Sequence, residues 1–317
     1  MKSLKGSILL LLTAIIWGTS FVSQKLGMNY VEPFTFGASR FLLGAVVLLP
    51  LIFIFDAAKK KKENQTAGTN NGEGDMVYNK NDLIKGGILC GLALFCGVSL
   101  QQWGLVYTTA GKAGFITALY IVLVPIIGLF MRKKVDSYTW IGVILAVVGL
   151  YMLTIKEGFS MEIGDGIVLA GTLFWAFHIM LVDYYTTKTE SLKLSCMQFV
   201  TTGILSLIAA FIFEKPTIKA VLDCAGPILY TAIMVVGVAY TLQIIGQRYT
   251  SPTVASLIMS LEAVFSAISG AIFLKESMTP KEIIGCILVF IAVVLTQIDP
   301  REIFKKSNKP SENIKVD

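Results

Sequence analysis

The chain has 317 residues, of which 55% are hydrophobic and only 15% charged, and its mean hydropathy is +0.71. Soluble domains carry roughly a quarter charged residues, so this composition excludes a soluble globular protein. The formal net charge of +6 comes from lysines that cluster between apolar runs and at the C-terminus, without forming a continuous basic face. These lysines therefore indicate membrane topology, and no nucleic-acid partner is expected.

Apolar runs of membrane-spanning length recur along the whole chain. A helix needs roughly 20 mostly apolar residues to cross the hydrocarbon core of a bilayer. Ten segments meet this requirement, and their runs are continuous rather than alternating, which excludes a β-barrel. We therefore predict an all-α integral membrane protein with ten transmembrane helices. In chain order these are Gly6–Gln24, Pro33–Phe55, Gly86–Tyr107, Ala113–Met131, Tyr138–Ile155, Gly164–Val182, Leu194–Phe213, Gly226–Gln247, Pro252–Leu274 and Pro280–Ile298.

The loops carry an uneven distribution of Lys and Arg. With a cytoplasmic N-terminus, nineteen of these residues fall on the cytoplasmic side and seven on the other. The positive-inside rule therefore predicts that both termini are cytoplasmic. Residues 59–82 are polar and rich in Asn, Gly and Lys, and we predict a disordered cytoplasmic loop there. With no organelle-targeting feature, we expect a multi-pass protein of the cell (plasma) membrane of a bacterium, with a cytoplasmic polar tail at 301–317.

The two halves of the chain resemble each other. An offset of 142 residues aligns Gln101 with Gln243, and an offset of 158 aligns Trp17 with Trp175. We predict one repeat at 1–157, with helices 1–5, and a second at 158–300, with helices 6–10. Because five is odd, the second repeat must enter the membrane inverted relative to the first. Inverted repeats place a substrate site near the midplane between the halves and permit alternating access.

Several short motifs suggest a family. The first helix contains Ala14-Ile15-Ile16-Trp17-Gly18-Thr19-Ser20-Phe21, and the second contains Ser39-Arg40-Phe41. The ninth helix contains Leu261-Glu262-Ala263-Val264, and Lys275-Glu276-Ser277-Met278-Thr279 precedes the tenth. Over residues 4 to about 300 the chain resembles the EamA-type transporters of the drug/metabolite transporter superfamily, although Ala263 stands where members usually have proline. The resemblance implies export of amino acids, metabolites or toxic compounds by secondary transport.

Two charged residues fall within predicted helices. Glu262 lies about ten residues into the ninth helix, hence ~15 Å deep at 1.5 Å per residue. A carboxylate at this depth costs at least roughly 2.5–3.5 kcal/mol unless it faces a cavity, a partner or a proton. Its functional interpretation is a ligand for a substrate amine or a coupling group, and its structural alternative is a helix–helix hydrogen bond. Arg40, some ~10 Å below the outer surface, is either a ligand for a substrate carboxylate or a link between helices.

Aromatic repeat mates form a second set of candidates. Trp17 and Trp175 both fall near mid-membrane, away from the interfaces where tryptophan is usual. They form either a stacking wall for an apolar or aromatic substrate or part of the packed core. Tyr120 is the repeat mate of Glu262, so we expect the two at the midplane, facing each other across the cavity.

Polar residues in the helices complete the candidates. His178, the single histidine, is either a proton sensor or a hydrogen-bonded packing residue. Gln101 and Gln243 occupy matched positions, where they can form hydrogen bonds between helices with or without substrate. One histidine and scattered carboxylates supply no catalytic dyad and no metal ligands. We therefore expect no enzymatic activity, no catalytic residues, no metal site and no cofactor.

These observations favour a secondary active transporter, an exporter of small metabolites such as amino acids or of toxic compounds. Uptake or exchange of sugar-like or nucleotide-like metabolites is the alternative within this class. Phosphorylated substrates should need several buried cations, and Arg40 is the only cation identified inside an apolar segment. A membrane-embedded enzyme or a scaffold is the alternative of another class. The expected partners are a small-molecule substrate and the lipid bilayer, and the oligomeric state stays open, with a homodimer as one alternative.

The predicted topology can be tested with reporter fusions. A reporter that is active only in the cytoplasm should be active after Asp82, Lys134 or Lys309 and inactive after Lys156 or Lys219, because the loops alternate between the two sides. The measurement is reporter activity normalised to expression. Activity after both Lys134 and Lys156 would show that the fifth segment does not cross the membrane, and the inverted repeat would be excluded.

Overall fold

The computed structural model describes residues 2–66, 78–108, 110–133, 135–155, 162–273 and 278–297. Within these ranges every regular element is helical. In this described part of the chain, ten helical segments are long and apolar enough to cross a membrane, which confirms the ten predicted transmembrane helices. We number them spans 1 to 10: Leu4–Gly27, Pro33–Lys59, Lys80–Tyr107, Lys112–Phe130, Ser137–Thr154, Ile163–Thr186, Ser191–Phe213, Ala225–Gln247, Pro252–Ile272 and Pro280–Gln297.

Spans 4, 8 and 9 consist of more than one helix, whereas the others are continuous. A π-helix forms the middle of span 8, at Thr231–Tyr240. The α-helices run Lys2–Gly27, Pro33–Thr66, Lys80–Tyr107, Ala110–Ala118, Tyr120–Phe130, Ser137–Thr154, Ile163–Thr186, Ser191–Phe213, Ile218–Asp223, Ala225–Tyr230, Thr241–Gln247, Pro252–Met259, Leu261–Phe273 and Pro280–Gln297.

The predicted disordered loop at 59–82 is too long. The second helix continues through Thr66, and the third begins at Lys80. Lysine and glutamate are good helix formers, so the Lys-Lys-Lys-Lys-Glu run prolongs the helix beyond its apolar part. Asn79 caps the third helix, since its side chain accepts a hydrogen bond from the Asn81 N–H. Residues 67–77 of this loop, like the predicted tail at 301–317, lie outside the described residues.

Contacts between helix ends show which ends share a face of the bundle. The ammonium group of Lys5, at the start of span 1, lies 5.3 Å from the ring centroid of Tyr249, just after span 8. Arg248 Nη2 donates a hydrogen bond of 2.8 Å to the hydroxyl of Tyr78, just before span 3. The starts of spans 1 and 3 and the end of span 8 therefore lie together, and we call this side the N-terminal face.

The opposite face holds the other ends of the same spans. Thr108, just after span 3, donates a hydrogen bond to Asp165 near the start of span 6. Cys224 Sγ, just before span 8, lies 3.7 Å from the carbonyl oxygen of Gly27, the last residue of span 1. Span 1 therefore starts at the N-terminal face and span 6 at the opposite face. The second set of five spans is thus inverted relative to the first, as predicted.

The packing between spans follows the same symmetry. Span 1 packs against spans 8 and 9, and span 6, its repeat mate, packs against spans 3 and 4. Spans 2 and 7 pack against each other, as do spans 5 and 10. Each repeat therefore covers the apolar faces of the other, around a pseudo-two-fold axis of the kind that relates inverted repeats in the membrane plane.

Glycines bring the backbones of the two repeats together at matched positions. A Cβ atom added to Gly164 would lie 2.7 Å from the carbonyl oxygen of Gly104, and one added to Gly6 would lie 2.9 Å from that of Gly246. The offsets of 158 and 142 make these two contacts equivalent. Small residues are typical where transmembrane helices pack closely. Both contacts join the first span of one repeat to the third span of the other.

The contact at Gly164 predicts a position-specific cost. In Gly164→Ala the new methyl group would meet only backbone atoms, 2.7–2.9 Å away, so the helices must separate. We expect a loss of about 1–3 kcal/mol of stability, seen as a lower thermal unfolding midpoint of the purified protein in detergent. Gly166→Ala, in the same helical turn with no atom within 4 Å, is the matched control and should be neutral or stabilising. Equal midpoints for the two variants would contradict the close packing.

Candidate functional site

The helices of spans 4 and 9 are each interrupted near the middle of the bundle. Span 4 is interrupted at Leu119, whose N–H donates a hydrogen bond to the carbonyl oxygen of Ile116, three residues earlier in the chain. Span 9 is interrupted at Ser260, whose hydroxyl group donates a hydrogen bond of 2.7 Å to the carbonyl oxygen of Leu257. The offset of 142 places the two breaks one residue apart in register. Both residues keep right-handed helical backbone angles, so each break is a single-residue irregularity rather than an unwound segment. Irregular helices at corresponding positions of inverted repeats are found at substrate sites.

The residues that follow the two breaks contact each other. Tyr120 donates a hydrogen bond of 3.2 Å from its hydroxyl group to Glu262 Oε1. Both side chains are buried, with 2% of Tyr120 and 7% of Glu262 exposed. We expected these repeat mates to face each other across a cavity, and the structure instead joins them directly. Only residues close to the pseudo-two-fold axis can contact their own mates, so the axis passes between them.

Two aromatic pairs show the same relation. The ring centroids of Trp17 and Trp175, which are repeat mates, lie 6.2 Å apart. The centroids of Phe41 and Phe199, also mates, lie 6.2 Å apart as well. The axis therefore runs through a layer of aromatic rings as well as past the Tyr120–Glu262 hydrogen bond.

Tyr240 completes this aromatic layer and was not among the sequence candidates. Its ring centroid lies 4.9 Å from that of Trp17 and 6.3 Å from that of Trp175, with the latter two planes only 5° apart. Tyr240 ends the π-helix Thr231–Tyr240 of span 8, and π-helical segments are frequent at functional sites. Its repeat mate is Val98, so the repeat gave no sign of an aromatic residue here. We call Trp17, Trp175 and Tyr240 the aromatic layer.

A cavity lies against the aromatic layer, between the two repeats. The space between its lining atoms, counted together with the open solvent at its mouth, is about 410 Å³. Six of the eight sequence candidates line it, whereas His178 and Gln243 do not. Residues of spans 1, 3, 4 and 8 that the sequence did not single out also contribute. The lining residues are Trp17, Ser20, Phe21, Gln24, Arg40, Val98, Gln101, Thr117, Tyr120, Trp175, Val235, Tyr240 and Glu262.

Arg40 brings a buried positive charge to the cavity. Its Nη1 donates a hydrogen bond of 3.1 Å to Gln24 Oε1, and Gln24 Nε2 donates one of 3.0 Å to the hydroxyl of Ser20. The rings of Phe36 and Phe41 lie 5.2 and 5.1 Å from its guanidinium carbon, within cation–π distance. Within the described ranges Arg40 Nε has no hydrogen-bond partner. These contacts orient the guanidinium group without neutralising its charge.

Glu262 brings a carboxyl group to the same cavity. No ion pair joins Glu262 to Arg40 or to another cation among the residues that the structure describes. In the described part of the chain, the indole Nε1 atoms of Trp17 and Trp175 also lack hydrogen-bond partners. Unpaired buried charges are costly in a membrane interior. The cavity is therefore lined by a guanidinium group, a carboxyl group and two indole rings, with no ion pair between the guanidinium and carboxyl groups.

His178 and Gln243 lie on the other side of the aromatic layer. His178 follows Trp175 by one turn, toward the end of span 6 at the N-terminal face, and its Nε2 lies 3.0 Å from Gln198 Oε1. Gln243 follows Tyr240 toward the same face, and its Nε2 donates a hydrogen bond of 3.0 Å to Gln247 Oε1. In contrast, Gln101, the mate of Gln243, lines the cavity and donates a hydrogen bond to another lining residue.

Two inverted five-span repeats with a buried polar cavity between them define a membrane transporter rather than an enzyme. The EamA-like transporter family model matches residues 4–155 and 162–298, and each match holds five of the ten spans. The chain belongs to the EamA-like transporter family.

Relatives that align with most of this chain are named as transporters. An uncharacterized transporter of Archaeoglobus fulgidus is 33% identical over 300 residues, which cover 94% of this chain and 87% of that protein. An uncharacterized transporter of Clostridium kluyveri is 23% identical, over 98% of this chain and 96% of that one. The uncharacterized transporter YoaV of Bacillus subtilis is 21% identical, over 87% and 90%. A protein crystal structure with 16% identity superposes with a TM-score of 0.72, covering 96% of this chain and 99% of that one, and shows the shared fold.

A double-mutant cycle can test the contact between Tyr120 and Glu262. Tyr120→Phe should lower stability by about 1–3 kcal/mol, because the buried carboxyl group loses its donor. In the Glu262→Met background the acceptor is absent, so the same change should cost close to nothing. The measurement is the thermal unfolding midpoint of all four proteins in one detergent. Equal costs in the two backgrounds would show that the two side chains are not coupled.

Proposed function

We propose that the protein is a secondary active exporter of small zwitterionic metabolites, amino acids in particular, that works by alternating access. The observation that supports this most is the pair of buried, unlike charges, Arg40 and Glu262, which line one cavity without pairing with each other. A ligand that carries an amine and a carboxylate supplies a partner for each of them. A ligand without a carboxylate would leave the Arg40 guanidinium group buried and unpaired, at a cost of several kcal/mol. A ligand without an amine would leave only a proton to bind Glu262.

The geometry around Arg40 suits a carboxylate. A guanidinium group presents several donors in one plane, and such groups bind carboxylates through two parallel hydrogen bonds. Arg40 Nη1 already donates a hydrogen bond to Gln24, while Arg40 Nε has no partner among the described residues. The amine of the ligand then faces Glu262, whose other hydrogen bond comes from Tyr120. In this arrangement Arg40 and Glu262 determine both the charge and the orientation of the substrate.

The remaining wall suits an apolar or aromatic side chain. The aromatic layer presents ring faces, and Phe21, Val98 and Val235 add further apolar surface. Aromatic rings bury large apolar areas and attract other rings in stacked or edge-on arrangements. We therefore expect amino acids with apolar or aromatic side chains as substrates.

One carboxyl group can couple transport to protons. Glu262 holds either a proton or a substrate amine, so substrate and proton exclude each other at this position. Carboxylates inside membrane proteins are typical of such relays. Exchange of an inward-moving proton for an outward-moving substrate gives export whenever the proton gradient points into the cell. This reasoning, together with the loop charges that predict cytoplasmic termini, supports export across a bacterial cell membrane.

Binding measurements on the purified protein test the zwitterion. Amino acids with apolar or aromatic side chains should raise its thermal unfolding midpoint in a concentration-dependent way. Phenethylamine, which lacks the carboxylate, and 3-phenylpropionate, which lacks the amine, should each bind about 10- to 150-fold more weakly than phenylalanine, because the first loses the charge-assisted hydrogen bonds to Arg40 and the second loses those to Glu262. Binding of either analogue as tight as that of the amino acid would exclude the two-charge site.

Transport by the Glu262→Gln variant tests the coupling. In proteoliposomes loaded with labelled amino acid, an inward proton gradient should drive efflux through the wild-type protein. Glu262→Gln keeps the shape of the side chain but neither titrates nor carries charge, so proton-driven efflux should fall at least about tenfold. Glu190→Gln is the matched control, since this residue pairs with Lys59 and Lys193 outside the cavity, and it should keep wild-type flux. Wild-type flux and an unchanged pH profile in Glu262→Gln would refute the coupling role, and proton-driven uptake would refute export.

A further inference from the structure

Each residue that lines the cavity has a repeat mate, given by the offsets of 158 and 142. Three pairs of mates line the cavity together, namely Trp17 with Trp175, Val98 with Tyr240, and Tyr120 with Glu262. The mates of the first and third pairs contact each other, which places these two pairs at the axis. The other lining residues have mates that do not line it. Among these off-axis residues, Ser20, Arg40 and Gln101 have the polar mates His178, Gln198 and Gln243.

The three polar mates are more deeply buried than the cavity lining itself. His178, Gln198 and Gln243 are each 0% exposed. Gln198 lies in span 7, which begins at the N-terminal face, and bonds to His178 of span 6. Gln243 follows Tyr240 in span 8 toward that face. The three residues therefore lie between the aromatic layer and the N-terminal face, on the side away from the cavity.

Each of these side chains also has a polar atom without a partner in the described part of the structure. The atoms are His178 Nδ1, Gln198 Nε2 and Gln243 Oε1. A buried donor or acceptor left without a hydrogen bond costs roughly 1–3 kcal/mol. Such a cost at three positions is not explained by packing, because an apolar residue of similar size would avoid it. A second conformation in which these atoms meet water or a ligand explains it.

We propose that His178, Gln198 and Gln243 line a second cavity, which opens to the N-terminal face when the two repeats exchange conformations. The proposal rests on the alternating access of the proposed function. When each inverted repeat adopts the conformation of the other, a residue takes the place of its mate. Ser20, Arg40 and Gln101 then become buried, and their three mates face the opening. The second cavity thereby gives a function to His178 and Gln243, the two sequence candidates that do not line the cavity described above.

The second lining has a different chemistry from the first. Gln198 occupies the position that Arg40 has in the other repeat, so an amide replaces the guanidinium group. Together with the imidazole of His178, this amide offers neutral hydrogen-bond donors to the carboxylate end of the same zwitterion. Hydrogen bonds to carboxylates from neutral donors are weaker than those from cations. The substrate is therefore held by Glu262 in both states, and by a guanidinium group in one state only.

Cysteine accessibility tests this second cavity without any substrate. In a full-length variant whose five native cysteines are replaced by serine or alanine, we would introduce Gln198→Cys, Ser20→Cys or Leu194→Cys. A membrane-impermeant methanethiosulfonate is applied to intact cells and to inverted vesicles. Leu194 is the matched control, because it is buried, lies one turn closer to the N-terminal face than Gln198, and has the mate Phe36, which does not line the cavity.

We expect Gln198→Cys to react from the N-terminal face at least about tenfold faster than Leu194→Cys, because a state populated at even a few per cent exposes it whereas Leu194 requires local unfolding. Ser20→Cys should react from the opposite face. Gln243→Cys, in another span, is a second reporter that should behave like Gln198→Cys, and only variants that elute as monodisperse protein are compared. Reaction of both reporters no faster than Leu194→Cys, or from the same face as Ser20→Cys, would overturn the second cavity. The zwitterion can fail in the binding assay while this labelling pattern holds, so the two proposals fail separately.

Discussion

The main physical constraint on this protein is that hydrocarbon offers no hydrogen bonds to a broken helix. A chain can interrupt a transmembrane helix only where protein surrounds the freed backbone groups. The breaks at Leu119 and Ser260 meet this condition because they lie at the pseudo-two-fold axis, between the two repeats. They bring Tyr120 and Glu262 into contact at the same place. The cavity therefore lies where the two repeats can bury irregular backbone away from the lipid.

The internal repeat determines how the spans are arranged, and differences between repeat mates determine which chemical groups line the cavity. If the two halves were identical, every group in the cavity would have an equal group related by the axis. Instead the cation comes from the first repeat, where the mate of Arg40 is Gln198, and the carboxylate comes from the second, where the mate of Glu262 is Tyr120. Only unequal mates can place a single guanidinium group and a single carboxyl group on the same cavity, which is what the proposed zwitterionic substrate requires.

Hydropathy and the internal offsets predicted most of the frame. The ten spans follow from length and apolarity. The offsets identified Trp17 and Trp175 as mates near mid-membrane, and the structure adds that their ring centroids lie 6.2 Å apart. Tyr240 could not be predicted, because its repeat mate is Val98 and the repeat therefore gave no sign of an aromatic residue at this position. Gln24 was missed because its role depends on a hydrogen bond to Arg40 from another helix. The helix through Thr66 was missed because composition outweighed the helix propensity of the lysine run.

In the proposed cycle, residues at the axis couple transport to protons, and residues away from the axis make the two faces of the protein different. Exchange of conformations between the repeats moves Tyr120 and Glu262 onto each other's positions, so both remain within reach of a ligand in either state. The two tryptophans of the aromatic layer exchange places in the same way, and rings therefore close the site from one side and then from the other. Arg40 has no equivalent partner, since Gln198 takes its place. Because Glu262 is the charged group that the ligand keeps throughout, coupling depends on it, whereas the difference in affinity between the two faces depends on Arg40.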